Sequence, residues 1–396
     1  MIDPQSIAAI VFIAALTIII LLERKRIQVQ KIIFPLLYFV MFKTKLGLKT
    51  MDSWAKKYKR PLSILATIGI VIGYLGMILI ALLLIKNIYD IFTRPETVAG
   101  VALVLPFKAR GAVFVPFFYW ILSIFILAVI HEFSHGVIAR LYNVKVKSSG
   151  FAALCIIFPI LPAAFVEPDE KQVKKIPRKQ QLAIFAAGPF SNILAAAVII
   201  ILFLTAIPPL MDAVMLNDGV KVVSIVENDD LPTPAQLSGL ENNEIIKSIN
   251  NNEILTVQDF KDALDNKQPK DPITVATNSS TYDIILAQHP KNESRAFFGL
   301  SVVQNQKKNP EFIAKYGSPL TEVILWVLGL LYWLYVLNLG IGLFNLVPLG
   351  PIDGGRMLLT GLESFMSEAK AKLIWAKISW IFLFLIIINI AFAFIK

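Results

Sequence analysis

Ile130-His131-Glu132-Phe133-Ser134-His135-Gly136 lies at the end of an apolar run that covers residues 117–138. A run of that length predicts a helix able to cross a hydrocarbon core of about 30 Å, and residues four apart on a helix are neighbours. His131 and His135 therefore share a face, where two imidazole nitrogens can reach one tetrahedral cation at about 2.0–2.1 Å. Glu132, beside the first histidine, stays free to act as a base on water next to such a cation. The competing reading is an accidental pattern of polar residues satisfied by neighbouring helices. The chain has 3 histidines, however, and two of them stand at this spacing beside a glutamate. Ionisable groups at bilayer depth cost roughly 2.5–3.5 kcal/mol on insertion scales and usually mark a site. The remaining histidine, His289, follows a strand in a polar region and reads as an ordinary exposed residue.

Composition agrees with a membrane setting. Hydrophobic residues make up 56% of the 396 and charged residues 17%, against about 25% charged in soluble domains. Six apolar runs, at about 7–22, 61–85, 117–138, 182–210, 323–344 and 378–395, are candidates to span a bilayer. Two more, 32–42 and 150–166, are too short, and Pro159 and Pro162 interrupt the second, so both read as re-entrant or interfacial segments. The net charge of +10 does not point to a nucleic-acid partner, because the basic residues cluster beside the apolar spans. The one cysteine, Cys155, excludes an intramolecular disulfide and a cysteine-cluster metal site. Residues 1–6 lack the positive region of a secretory signal, so the first run reads as a retained helix.

Orientation follows from charge. Residues 43–60 carry Lys43, Lys45, Lys49, Lys56, Lys57, Lys59 and Arg60 against Asp52, which places this loop in the cytoplasm. The third run then exits to the same side, beside Lys145, Lys147, Lys171, Lys174, Lys175, Arg178 and Lys179. A polar segment at about 217–310 falls on the extracytoplasmic side. Its alternating runs, 220–226 and 273–277, predict strands, and Thr256 with Asp259 predicts a capped helix between them. Thr233-Pro234-Ala235-Gln236-Leu237-Ser238-Gly239-Leu240, followed by 244–250, resembles the core signature of PDZ domains, which bind an extended peptide at a sheet edge.

A catalytic zinc takes three protein ligands and keeps one position open. The fifth run ends in Asn345-Leu346-Val347-Pro348-Leu349-Gly350-Pro351-Ile352-Asp353-Gly354-Gly355-Arg356, a proline-glycine break carrying one carboxylate. Charge counting puts this break at the depth of His135, and broken helices at such depth line a cavity or lie buried in protein. An interfacial turn capped by Asp353 is the plainer account of the same residues. Glu363 and Glu167 are other carboxylates that could complete the set.

The two segments together, H-E-x-x-H on one span and N-x-x-P-x-x-x-x-D-G on a later one, resemble the site-2 protease family of intramembrane zinc metalloproteases. The resemblance covers about 117–356. It implies one zinc per chain held by His131, His135 and Asp353, Glu132 as general base, and Asn345 near the substrate backbone or the transition-state oxygen. Ala187-Gly188-Pro189-Phe190-Ser191-Asn192 resembles the family's glycine-proline-asparagine segment, with close helix packing as its role. It also implies a re-entrant β-loop after the histidine helix, where 150–166 stands, and a PDZ domain between the catalytic halves.

The expected architecture is thus an α-helical polytopic membrane protein of about six transmembrane helices with one inserted extracytoplasmic α+β PDZ-like domain. Its parts are N-terminal helices and a basic cytoplasmic loop (1–116), a catalytic membrane segment (117–210), the PDZ-like domain (217–305) and a C-terminal membrane segment (318–396). The expected function is peptide-bond hydrolysis in or near the transmembrane segments of membrane-protein substrates, in the cell membrane, with the active site toward the cytoplasm. The 150–166 segment would hold unwound substrate on a strand-like edge, near Phe151 or Ile157, and the PDZ-like domain would screen substrates. Asn278-Ser279-Ser280 and Asn292-Glu293-Ser294 match the N-glycosylation pattern. A metal transporter is the alternative, since intramembrane His and Asp also line ion pathways.

Overall fold

In the computed structural model, residues 4–24, 26–33, 37–94, 97–156, 158–226, 232–265, 267–289 and 292–395 are described. The first apolar run forms α1 (Pro4–Leu22). The 32–42 stretch belongs instead to a hairpin of β1 (Ile27–Ile33) and β2 (Leu37–Thr44), its residues 34–36 lying outside the described ones. The basic 43–60 segment, expected as a loop, is largely helical. Its α2 (Leu48–Lys57) buries Met51 and Ala55 and leaves Lys49, Lys56 and Lys57 exposed, and α3 (Lys59–Thr93) follows. Short parallel strands β3 (Leu103–Leu105) and β4 (Ala112–Phe114) precede α4 (Phe117–Leu141), which carries the histidine pair. The chain continues through β5 (Val146–Ile156), β6 (Phe158–Pro168), the one-turn α5 (Glu170–Val173) and α6 (Arg178–Thr205). There follow α7 (Ile207–Val214), β7 (Met215–Ile225), α8 (Pro234–Leu237), β8 (Ile245–Ile249), β9 (Asn252–Glu253) and α9 (Val257–Asp265). Strands β10 (Pro272–Thr277), β11 (Thr281–Ile285), β12 (Ala287–His289), β13 (Asn292–Phe297) and β14 (Leu300–Lys308) come next. The chain ends in α10 (Pro310–Tyr316), α11 (Ser318–Phe344), α12 (Asp353–Leu362) and α13 (Glu368–Ile395).

Among the described residues, 5 helices are long and apolar enough to cross a membrane: α3, α4, α6, α11 and α13. The expectation was six. The remaining run, the first in the chain, is an apolar helix of shorter reach. The chain divides into two compact units, Met1–Leu202 with Trp326–Lys396, and Phe203–Leu325. The second extends beyond the expected 217–305 at both ends: β7 starts at Met215 and β14 runs to Lys308, and α7, α10 and the start of α11 belong to it as well.

In the first unit the two short apolar stretches find each other. They pair as one antiparallel sheet in the order β1-β2-β5-β6, with Phe42 opposite Phe151 and Val40 opposite Ala153. In an apolar setting unpaired backbone groups cost several kcal/mol each, so two strands too short to span as helices gain by pairing. Gly150 is required by this pairing, since a Cβ there would run into the Phe42 carbonyl. β6 is an edge strand, which tolerates its Pro159, Pro162 and Pro168, because proline gives no donor to a ladder.

α4 stops where its sequence says it should. Asn143 takes a left-handed φ of 61°, Val144 N–H donates to Ala139 O at 2.9 Å and Asn143 N–H to Arg140 O at 3.0 Å. This paired closure is the Schellman pattern, and Asn is one of the few residues that accept the conformation cheaply. It turns the chain directly from the histidine helix into β5. Ala139, Val144, Val146, Ala183, Ile184 and Ala186 are all buried in one cluster that joins α4, the sheet and α6.

The second unit holds a sheet ordered β11-β10-β8-β7-β14, with β9 added on β8. The period-two pattern of β10 puts Ile273 and Val275 into a core shared with Val220, Val222, Ile246, Ile249 and Phe260. α9 opens with the expected capping box, Asp259 Oδ2 accepting from Thr256 N–H at 2.8 Å and Thr256 Oγ1 from Asp259 N–H at 3.1 Å. Thr233 and Gln236 form a second box at α8. His289 is half-buried, its ring set edge-on to Phe297. Asn278 Oδ1 accepts the Ile245 N–H at 2.7 Å, and Asn292 Oδ1 accepts from Ser294 N–H at 3.2 Å.

Candidate active site

One helical turn of α4 separates His131 from His135, and their rings meet edge-to-face with centroids 4.8 Å apart. Asp353 reaches them from 222 residues along the chain. It stands in the first turn of α12, where a carboxylate favours the helix dipole. The break before it folds back on itself: Gly354 N–H donates to Asn345 O at 2.7 Å. A Cβ on Gly354 would strike the Leu346 and Val347 carbonyls, and one on Gly355 the Leu349 carbonyl, so this turn requires both glycines.

Three donor atoms converge. His131 Nε2 lies 3.0 Å from Asp353 Oδ2, His135 Nε2 lies 3.3 Å from the same oxygen, and the two Nε2 atoms are 3.2 Å apart. Ligands held about 2.0–2.1 Å from a tetrahedral ion stand about 3.3–3.4 Å from one another, so this donor set fits zinc with one position left open. All three residues are buried, at 8 to 9% exposure. Among the described residues this is the one group of His, Cys, Asp and Glu of suitable spacing for a metal. Glu363 and Glu167 are engaged elsewhere, Glu363 with Arg178 at 2.5 Å and Glu167 with Lys43 at 2.7 Å and Ser148 at 2.6 Å.

The histidines are held from behind by α6. His135 Nδ1 lies 2.6 Å from the Ile184 carbonyl, and His131 Nδ1 lies 3.2 Å from the Asn192 side-chain amide nitrogen. Ile184, Gly188 and Asn192 follow at four-residue spacing and so share one face of the helix. A Cβ on Gly188 would collide with Nε2 of both histidines, so a bare backbone at this position lets the three helices close on the site. Packing was the role expected for Gly188 and Asn192. For Gly188 that is what the geometry gives, at the centre of the site, whereas Asn192 touches a histidine ring through its amide.

A cavity of about 350 Å³ opens on this cluster, lined among others by His131, Glu132, His135, Val166, Asn345, Asp353 and Arg356. Glu132 Oε2 accepts the Val166 N–H of the edge strand at 2.9 Å. Asn345 borders the cavity, and its carbonyl braces the Asp353 turn. Arg356 pairs with Glu170 of α5 and lies over the Phe185 ring, 4.7 Å from its centroid. Sequence reasoning missed three of these contributors. Ile184 acts through its backbone and leaves no side-chain signal, while the Val166 N–H and the Arg356–Glu170 pair depend on strand and helix placement.

The peptidase family M50 sequence model matches residues 119–386, from α4 to within α13. The chain belongs to the M50 family of site-2 proteases. It is therefore a multi-pass membrane protein of a metalloprotease family. An uncharacterised protein of Methanocaldococcus jannaschii is 29% identical over 346 residues, which is 85% of this chain and 80% of that one. A Clostridium perfringens protein that carries the name of a zinc metalloprotease is 24% identical over 297 residues, 62% of this chain and 83% of its own length. The PDZ domain of an SdrC-like protein from Listeria monocytogenes aligns at 25% identity and TM-score 0.19, over 22% of this chain and 88% of that domain.

Proposed function

We propose that this M50 member is an intramembrane endopeptidase, with one zinc on His131, His135 and Asp353, acting on peptide bonds in or near the transmembrane segments of other membrane proteins. The convergence of the three donor atoms in a cavity that also contains Glu132 and a sheet edge carries the reading. Zinc bound there would lower the pKa of a bound water toward about 7 and polarise the scissile carbonyl. The rest is the work of this chain's residues. Glu132 takes the proton of the attacking water and passes it to the leaving amine, a role worth roughly 10²–10⁴-fold. Asn345, at the cavity wall, is placed to donate its amide to the substrate carbonyl as negative charge develops on it.

A substrate helix bonds its own carbonyls, so it has to unwind before it can be cut. β6 offers the pairing that an unwound strand lacks, along the edge away from β5. The positive-inside pattern supports a cytoplasmic side for the site and an extracytoplasmic side for the second unit, read as a PDZ-like domain that screens substrates by binding peptide.

Reconstitution in vesicles with a membrane-spanning substrate tests the proposal. The wild type should cleave, Glu132→Gln should lose turnover yet keep its zinc, and a chelator should abolish cleavage. Equal cleavage by wild type and Glu132→Gln would remove the mechanism. Zinc flux across the vesicles that persists in Glu132→Gln would favour a transporter.

A further inference from the structure

The two histidines differ in what stands behind them. His135 donates its Nδ1–H to a backbone carbonyl, Ile184 O, which accepts and cannot donate. That bond fixes the tautomer in which Nε2 keeps its lone pair for a metal. Behind His131 stands Asn192, whose amide nitrogen lies 3.2 Å from Nδ1 of that ring; the amide carries both a donor and an acceptor, and a half-turn about its last bond presents the oxygen instead. Its side chain is fully buried, and its Oδ1 has no hydrogen-bond partner among the described residues. A buried amide oxygen without a partner costs about 1–3 kcal/mol, so its place 61 residues from His131, against that ring, calls for a reason. Backbone crowding adds to the point: Gly342 of α11 packs against the Asn192 Cβ, so the side chain is confined to the histidine side of α6.

From this geometry we infer that Asn192 is a positioning residue. It turns its amide so that Oδ1 accepts Nδ1–H of His131, which leaves Nε2 of that ring for the metal and holds the imidazole plane toward Asp353. Asn192 and Ile184 then form a matched pair of acceptors one turn to either side of Gly188. α6 contributes no ligand and sets the orientation of two. The inference rests on the zinc reading given above and extends it to a residue whose expected role was packing.

A packing role and a positioning role predict opposite outcomes for two nearly isosteric substitutions. Asn192→Leu keeps the branched shape and removes the acceptor, whereas Asn192→Asp keeps the acceptor and adds a buried charge. The full-length proteins, purified in detergent, are dialysed against a graded zinc chelator. Bound zinc per chain and helical circular dichroism are read together. Positioning predicts that Asn192→Leu binds zinc about 10–100-fold more weakly while Asn192→Asp stays close to wild type. Equal retention by Asn192→Leu and wild type, or loss in Asn192→Asp with retention in Asn192→Leu, overturns it. Should Asn192→Leu fail to fold, Asn192→Val carries the same expectation with less bulk. A wild type without stoichiometric zinc would defeat the metal reading itself, a result separable from any difference among the variants.

Discussion

Val166 N–H, on the outer edge of β6, donates to Oε2 of Glu132 at 2.9 Å. The proposed base is thereby tied to the same strand that is proposed to receive substrate, and the bond leaves the β5 ladder intact. Val166→Pro deletes this donor at an edge position that tolerates proline. A lost hydrogen bond to a charged group is worth about 1.5–3 kcal/mol, so kcat/KM should fall roughly 10–100-fold with zinc content unchanged. Steady-state cleavage alongside metal analysis checks it, and wild-type kinetics would show that Glu132 needs no such anchor.

Removing carboxylates one at a time should separate ligand from bystander. Asp353→Ala is expected to lose zinc, while Glu363→Ala and Glu167→Ala keep it, because those two are spent on Arg178 and on Lys43 with Ser148. Zinc per chain after dialysis is the measurement, and metal retained by Asp353→Ala would point to a different third donor.

Gly188→Ala places a methyl group against both histidine Nε2 atoms. Overpacking of this kind typically costs about 1–3 kcal/mol, here concentrated on the donor atoms. We expect zinc and activity to be lost together while the helical signal survives. A fully loaded Gly188→Ala protein would mean that α6 can retreat from α4.

In the second unit, Asp218 of β7 accepts from Lys247 of β8 at 2.7 Å and from Lys307 of β14 at 3.0 Å. Hydrogen bonds from Lys247 and then Lys307 hold its carboxyl below the ordinary carboxylate range. A group whose pKa is lower folded than unfolded stabilises the fold above its unfolded value of about 3.9, and that contribution vanishes as pH falls through the folded value. Hydrogen-exchange protection factors of β7 and β14 amides, which divide out the intrinsic pH dependence of exchange, should therefore fall below about pH 4. Asp218→Asn should flatten that dependence and cost no more than about 1 kcal/mol at neutral pH, as partly exposed pairs do.

Contact of substrate with the sheet is testable by crosslinking from Phe151, on β5 and 40% exposed, with the Glu132→Gln protein trapping uncleaved substrate. Absence of any adduct would count against strand capture there. Ile157, the other position of interest in this stretch, lies outside the described residues.

The pairing of His131 with His135 was legible in the chain because helical period puts them on one face, whereas Asp353 joined them only through the family resemblance, its proline-glycine break reading equally well alone as an interfacial turn. The short capped helix at Val257–Asp265 and the strands around Val222 and Val275 were legible for the same kind of reason, a local period and a local cap. The hairpin at Ile27–Thr44 was not, because β2 finds its second neighbour in β5, more than a hundred positions away. Nor could the basic stretch before Lys59 be seen to fold as α2, whose buried side is decided by tertiary contacts such as that between Trp54 and Phe133, and between Asp52 and Arg140. Asn192 carried a signal in its Gly-Pro-x-x-Asn setting. Its partner could not be read without the crossing of α6 over α4.

Under the proposed strand capture, the prolines of β6 also bound how much of a substrate must melt. Pro162 and Pro168 bracket the edge nearest Glu132 and neither can donate to a guest strand, which leaves the window between them, with the Val166 N–H already given to Glu132. At about 3.4 Å per residue that window accommodates an extended segment of roughly five residues. A membrane span of about twenty could then keep most of its helix, surrendering little more than one turn of internal hydrogen bonds to be cut. Sequences that already fray at a single turn, through glycine, asparagine or proline, should be the ones this edge selects.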